Sequence, residues 1–270
     1  MKLSLGLTPR DYSVAGGAVA YDADALAYFT ANTAITSDAD KNAINTFYLG
    51  LKSDGIYTKI KAMYLPIWGS ASSCKWNLVN PVDSNPAFRL TFHGTSWAFS
   101  SSGMTPTNAY ADTFLAPTAM GQDSIHGSSY LRNNTTTDGP AFSTEDAGTL
   151  NNAFYLFPKI TTSNNYSVRI NDSTSAFLSQ TNNIRGLNII NRIASNSKKY
   201  RINNTEVFSL TTASTGRNTQ SIYIAKLRTT NTYFTNEYSF LSFGDGLTDA
   251  EASNFYTRVN TLMTYFGINV

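Results

Sequence analysis

Four glutamates, two histidines and one cysteine are the side chains of this 270-residue sequence best suited to chemistry. The glutamates are Glu145, Glu206, Glu237 and Glu251. Hydrolysis of a sugar bond needs two carboxylates across it, and no two of these fall at a spacing that sets both on one strand face. The Glu-x-Asp-x-x-Glu run of concanavalin-fold glycosidases does not occur. A pair distant in sequence but close in space would still permit a glycosidase or lyase, with Glu145 and Glu237 as the residues to test. His93 and His126 have no His-Glu-x-x-His or Cys-x-x-Cys context, so a transition-metal site is not indicated. Gly69-Ser70 and Gly127-Ser128 lack the elbow that a serine nucleophile needs, and there is no phosphate-binding glycine loop. Asp245-Gly246 and Asn171-Asp172 offer oxygens to calcium, but Asp, Asn and Gly make turns for backbone reasons alone. The expectation is a protein without catalytic residues, metal or cofactor, calcium being weighed and not favoured.

Binding is better provided for. Tyr, Phe and Trp make up 13 % of the chain, while charged residues are only 14 %, against about 25 % in ordinary soluble domains. Ser, Thr and Asn fill the difference, and such a surface suits hydrogen-bonded recognition. Trp97, Tyr130 and Tyr233 stand beside polar turn residues and are the candidate stacking platforms for sugar rings. The net charge of +2 is spread out. Ser197-Lys198-Lys199-Tyr200-Arg201 is the densest basic run and reads as a solvated turn, so nucleic-acid binding is not expected. The single cysteine, Cys74, reads as a small buried hydrophobe. The sequons at Asn133, Asn134, Asn165, Asn171 and Asn203 matter only on a eukaryotic secretory route. No apolar run reaches the roughly 18 residues that span a membrane. The run Leu3-Ser4-Leu5-Gly6-Leu7 is too short for a signal peptide.

The elements that must hold these residues are mostly strands. Ser37 with Asp38 and Asp40 reads as a helix start, followed by Ile44, Phe47, Tyr48 and Leu51 at helical spacing and a stop at Gly55. Asp22-Ala23-Asp24 caps a shorter turn with Leu26, Tyr28 and Phe29. A second short helix over Ile56 and Ile60 is expected to end at Pro66. Beyond Ile67, short apolar segments alternate with turn residues. They predict strands at 75–79, 88–92, 97–100, 110–115, 128–132, 153–157, 166–170, 186–192, 199–202, 221–227 and 238–243. Thr248-Asp249-Ala250-Glu251 is a capping box, and Phe255, Val259, Leu262 and Phe266 then share one helix face. With no linker and no repeat, the chain reads as a mainly β protein: one sandwich with a helical N-terminal stretch and a C-terminal amphipathic helix.

A family resemblance sharpens this. Leu51-Lys52-Ser53-Asp54-Gly55-Ile56-Tyr57-Thr58-Lys59-Ile60-Lys61-Ala62-Met63-Tyr64 is followed by Trp76-Asn77-Leu78, Pro81 and Ala87-Phe88-Arg89-Leu90-Thr91-Phe92. Then come Asn108-Ala109-Tyr110-Ala111-Asp112-Thr113 and Gly244-Asp245-Gly246-Leu247-Thr248-Asp249-Ala250-Glu251-Ala252-Ser253-Asn254-Phe255-Tyr256. Over residues 22–270 this order resembles a concanavalin/laminin-G-like module of structural proteins from bacteriophages that infect Bacteroidetes, including flavobacteria. The resemblance implies a concanavalin-like jelly roll in a tail, fibre or spike component and carries over no catalytic residue. Residues 1–21, with alternating leucines, then read as an extended docking segment. The implied setting is the virion surface, after synthesis in the bacterial cytoplasm. The implied partners are other virion proteins, a host-surface glycan and further copies of the chain, a trimer by analogy with viral spikes. The alternatives are a purely structural capsid or tail part and a polysaccharide-degrading enzyme.

Overall fold

The computed structural model describes residues 20–135, 137–146, 149–160, 165–179 and 183–270. The docking segment assigned to 1–21 lies outside the described residues except for Ala20 and Tyr21.

Local signals start the helices where the sequence places them. Asp22 caps α1 (Ala23–Ala31) by accepting from the Asp24 N–H. Ser37 caps α2 (Asp38–Ser53) by accepting from the Asp40 N–H, with Asp38 and Asp40 in the first turn and Lys52 in the last, as the helix dipole favours. Ile44, Phe47, Tyr48 and Leu51 are all buried, whereas Leu26 of α1 is exposed. Gly55 follows at φ +70°, the left-handed geometry of a helix stop. The expected second helix reduces to one 3-10 turn, Tyr57–Lys59. The chain then extends as a strand, because Ile60 onward finds a ladder partner near the C-terminus.

From there the chain alternates between two sheets, A and B, in which every pairing is antiparallel. β1 (Ile60–Tyr64) lies in A and, after the short helix α3 (Ala71–Cys74), β2 (Thr91–His93) lies in B. β3 (Trp97–Phe99) and β4 (Met104–Pro106) return to A, β5 (Tyr110–Asp112) goes to B and β6 (Ile125–Leu131) to A. Sheet B then takes β7 (Phe142–Asp146), β8 (Thr149–Ile160), β9 (Asn165–Asp172) and β10 (Ala176–Ser179). Sheet A takes β11 (Gly186–Arg192), β12 (Lys198–Ile202) and β13 (Thr205–Leu210). β14 (Tyr223–Ile224) is in B, β15 (Tyr238–Gly244) in A, and α4 (Asp249–Tyr265) closes the chain. Sheet A runs β13-β12-β11-β6-β15-β4-β3, with β1 also on β15; sheet B runs β10-β9-β8-β7-β14-β5-β2. This is the jelly-roll-like sandwich expected of the sequence.

The expected strand at 75–79 does not form. Asn77 replaces the ladder with its side chain. Its Oδ1 accepts from Met63 N (3.0 Å) and Val79 N (3.1 Å), and its Nδ2 donates to Lys61 O (3.2 Å) and Ala87 O (3.0 Å). One buried amide does the pairing that alternation alone assigns to a backbone.

Two cores result. Between the sheets, Phe142, Phe154 and Phe243 meet at 5.1 to 5.6 Å, joined by Ile125, Leu156, Val168, Ile170, Tyr200 and Tyr238. The rings reach across to β6 at Gly127, where a Cβ would stand 2.7 Å from the Phe154 ring, so no larger residue fits. On the other side of sheet A, Met63, Tyr130, Leu187, Ile189 and Phe240 pack against α1, α2 and α4. Helices therefore cover the outer face of A, and no helix of the described residues joins the core under sheet B.

The basic run at 197–201 is not a solvated turn. β12 alternates, so Lys198 points inward and is fully buried while Lys199 points outward to Asp249 (2.8 Å). Cys74 is buried, and burial pushes its thiol up to about 11, consistent with an inert small hydrophobe.

Candidate functional site

Sheet B has one face on the inter-sheet core and one that no described helix covers, and its alternation decides which side chains each face carries. Phe92, Ala111, Ile224, Phe142, Phe154, Leu156 and Val168 face the inter-sheet core. Their strand neighbours His93, Tyr110, Tyr223, Ser143, Tyr155, Phe157, Ser167 and Arg169 therefore face outward.

Half of this face is an aromatic and cationic ladder. His93 opposes Tyr110 across β2 and β5, with ring centroids 4.6 Å apart and planes within 10°. Tyr223 of β14 lies 4.7 Å from Tyr110 on its other side. After β14, Ala225 takes φ +65°, a left-handed conformation that costs a non-glycine residue about 1 kcal/mol or more. The chain turns there into a hairpin in which Lys226 bridges to Tyr233 and Leu227 N donates to Thr232 O (2.9 Å). Lys226 Nζ then sits 4.7 Å from the Tyr110 ring centre and 5.4 Å from that of Tyr233. The Arg228 guanidinium lies 4.4 Å over Tyr223. Burial raises the Tyr110 hydroxyl pKa, helped by Tyr223 with its hydrogen bond, and by Asp112 and Tyr233. The three tyrosines, one lysine, one arginine and one histidine thus converge.

The other half is a shallow hollow of about 130 Å³ lined by Glu145, Tyr155, Phe157, Ile160, Ser167 and Leu227. Tyr155 and Phe157 meet edge to face at 5.2 Å, and the Tyr155 hydroxyl is within reach of those of Ser167 (3.3 Å) and Ser175 (2.8 Å). The hairpin tip closes over Glu145: one carboxylate oxygen accepts from the Thr229 N–H (3.0 Å) and hydroxyl. The other has no hydrogen-bond partner among the described residues, although Glu145 is fully buried.

Of the three aromatic platforms expected from sequence, Tyr233 belongs to this face. Tyr130 does not. It lies on the helix side of β6, fully buried, its hydroxyl accepting from Val270 N (2.9 Å). Its polar neighbours Ser128 and Ser129 are buried too, so the polar context that suggested exposure misleads. Trp97 is half-buried at the edge of sheet A, against Phe92 (5.0 Å) and Phe99 (5.8 Å), with Nε1 donating to His93 O (3.2 Å). Its ring is part of the sandwich rim. Sequence reasoning missed Tyr110, Tyr223, His93, Lys226 and Arg228. The signal was present: Tyr223 between Ile222 and Ile224 has strand alternation, which places it opposite the core.

The other glutamates are occupied elsewhere. Glu206 meets Lys199 (3.5 Å) and Arg201 (3.4 Å). Glu237 accepts from Ser102 Oγ and lies 3.7 Å from Arg132. Glu251 completes the capping box with Thr248 and pairs with Lys59 (2.6 Å). No two of the four share a partner. Among the described residues no three His, Cys, Asp or Glu side chains gather as a metal site would require, and no helix is long and apolar enough to cross a membrane.

No protein-family profile matches the chain, and no curated protein sequence does. Solved structures do. The fold is similar to domain 4 of AbnA, an extracellular arabinanase of Geobacillus stearothermophilus, in complex with arabinotriose: TM-score 0.51, 16 % identity, 73 % of this chain and 98 % of that domain. It is also similar to the binding domain of botulinum neurotoxin DC in complex with rat synaptotagmin II, at TM-score 0.51, 8 % identity, 75 % of this chain and 52 % of that one. The binding domain of Paraclostridial Mosquitocidal Protein 1 gives 0.50, 12 %, 74 % and 52 %. The chain thus spans about half of the toxin domains, and at these identities the likeness is one of fold.

Proposed function

We propose that this chain is a carbohydrate-binding sandwich displayed on a bacteriophage virion, and that the free face of sheet B contacts a host-surface glycan. The observation that carries the reading is the convergence of Tyr110, Tyr223 and Tyr233 with His93, Lys226 and Arg228 on the one sheet face that no described helix covers. Aromatic walls with hydroxyl, ammonium and guanidinium donors suit an amphipathic sugar ring. The arabinanase domain supports the reading, since it carries an oligosaccharide on the same fold. The virion setting rests on the resemblance to phage structural modules and on the weakly charged, Ser-, Thr- and Asn-rich composition.

A glycan array probed with the purified chain tests the binding. Hits that vanish in Tyr110→Ala and Tyr223→Ala, with the thermal melt unchanged, support it. An array without hits, together with a well-defined position in a particle density map, favours a purely structural tail or capsid part. Absence of the chain from purified particles by mass spectrometry removes the virion setting. Assembly is proposed as a trimer on a symmetry axis, and light scattering at micromolar concentration that gives the single-chain mass counts against it.

A further inference from the structure

We infer that the sugar taken by this face carries an oxyanion, a carboxylate or a sulfate ester, and that Lys226 and Arg228 are the residues that bind it. The inference rests on the glycan-binding reading and adds the class of ligand.

Several basic side chains of this protein are matched by acids. Lys52 meets Asp22 and Asp24, Lys59 meets Glu251, Arg258 meets Asp54, and Lys199 and Arg201 share Asp249. Lys226 and Arg228 are different. Neither pairs with a carboxylate among the described residues, and Lys226 Nζ makes no hydrogen bond there; its neighbours are the Tyr110 and Tyr233 rings. Arg228 uses only Nη1, on the Ser221 hydroxyl (3.3 Å) and carbonyl (3.5 Å), and leaves Nε and Nη2 without a protein acceptor. Two carboxylates lie on this side of the sheet and both are buried: Asp112 accepts from the Phe114 N–H (2.8 Å), and Glu145, under the hairpin tip, accepts from Thr229.

Two cations seated on the adjacent Tyr110 and Tyr223 rings of one ladder, neither paired with a carboxylate among the described residues and both half-buried, form a receptive site for an anion. The rings hold each head group in place and exclude part of its water. A carboxylate or sulfate placed between them would take charge-assisted hydrogen bonds from the ammonium and from the open edge of the guanidinium. The tyrosine hydroxyls and ring edges remain for the neutral part of the sugar. A neutral sugar would leave the lysine's three donors to weaker acceptors.

The test is a glycan array of matched pairs, each uronic acid against its methyl ester and each sulfated sugar against its unsulfated parent, probed with the full chain. Binding to the acidic member alone is expected, weakening as salt is raised. Lys226→Gln and Arg228→Gln should each lower it about ten-fold or more, Lys226→Arg should lower it less, and Lys41→Gln, an equal change of net charge on α2, should leave it unaltered. The two kinds of pair report whether carboxylate or sulfate is preferred. Binding to both members of each pair, or binding insensitive to Lys226 and Arg228, overturns the inference and leaves glycan recognition standing. No binding to any sugar overturns both.

Discussion

Asp172 faces two buried cations. Its Oδ2 lies 3.0 Å from both Arg192 Nη2 and Lys198 Nζ, and all three side chains are essentially without solvent. Arg192 also donates to the carbonyls of Ile170 (2.8 Å), Ser195 (2.6 Å) and Thr212 (2.9 Å), so it ties the ends of β9 and β11 to the chain beyond β13. Burial lowers the pKa of both cations, and Asp172 works against that shift. Asp172→Asn leaves two like charges in a dry site and should cost about 3–5 kcal/mol in urea unfolding. A loss under about 1 kcal/mol would show that water reaches the cluster. His126 supplies a pH dependence. Its Nδ1 lies 2.6 Å from the Asp245 carbonyl and its Nε2 2.9 Å from the Ser242 hydroxyl. A carbonyl only accepts, so Nδ1 carries the proton and Ser242 donates to Nε2. Burial pushes the imidazole down from 6.5 to about 4. The folded ring stays neutral while the unfolded one takes a proton, so its stabilisation is complete above pH ~6.5 and is lost as pH falls toward ~4. Going from pH ~7 to ~5 should remove about 2 kcal/mol through this residue. His126→Gln should narrow the difference in urea midpoint between those two conditions; an unchanged difference contradicts the assignment.

At the scale of elements, α4 shows what a local signal can specify. Thr248 Oγ1 accepts from the Glu251 N–H (3.3 Å) while the Glu251 carboxylate accepts from the Thr248 N–H (2.7 Å). Thr248→Ala should cost about 1 kcal/mol. Phe255 is fully buried, 5.9 Å from Phe240 and 6.0 Å from His126. Phe255→Ala should cost about 3–5 kcal/mol in the same assay, and a much smaller loss would mean that this face is not what holds the helix to sheet A. Caps, helical spacing and stops made α1, α2 and α4 legible in the sequence, with Phe266 the one member of the expected apolar face left partly exposed. The strands were legible in part. Gly186–Arg192 matches its expected bounds, whereas β1, β4, β7, β10 and β13 were missed, β1 lying where a short helix was expected. β13 is exposed at three of its six residues, and β4 holds only three residues. β6, β11 and β15 are buried along their whole length, so their serines and asparagines do not mark a solvent face. That is why Tyr130 read as exposed. The site was legible only through Tyr233, because the ladder joins three strands far apart in sequence, and pairing is a tertiary fact.

The whole molecule is three layers, helices on sheet A on sheet B, and its middle layer differs from the rest. β6, β11 and β15 lie between two cores, the inter-sheet one and the helix-side one. β6 is hydrogen-bonded on one edge to β11 over seven residue pairs and on the other to β15. Opening any of these strands exposes both cores at once, so their amides should exchange only through global unfolding. Sheet B has helices on neither face among the described residues, and its outer strands β2 and β10 each pair on one edge there. The Lys226–Tyr233 hairpin is a short ladder resting on aromatic rings and on Glu145. It should open locally at a free energy well below the global one, as binding elements generally do. Hydrogen exchange read by mass spectrometry should therefore rank peptides from β6, β11 and β15 slowest, those from β8 and β9 next, and those spanning the hairpin fastest. If the hairpin exchanges as slowly as β6, the binding face is rigid before ligand arrives, and an acidic sugar should then protect it no further. If it exchanges fast, sugar binding should slow it while leaving the middle layer unchanged, because the ligand touches only the one face that the helices leave open.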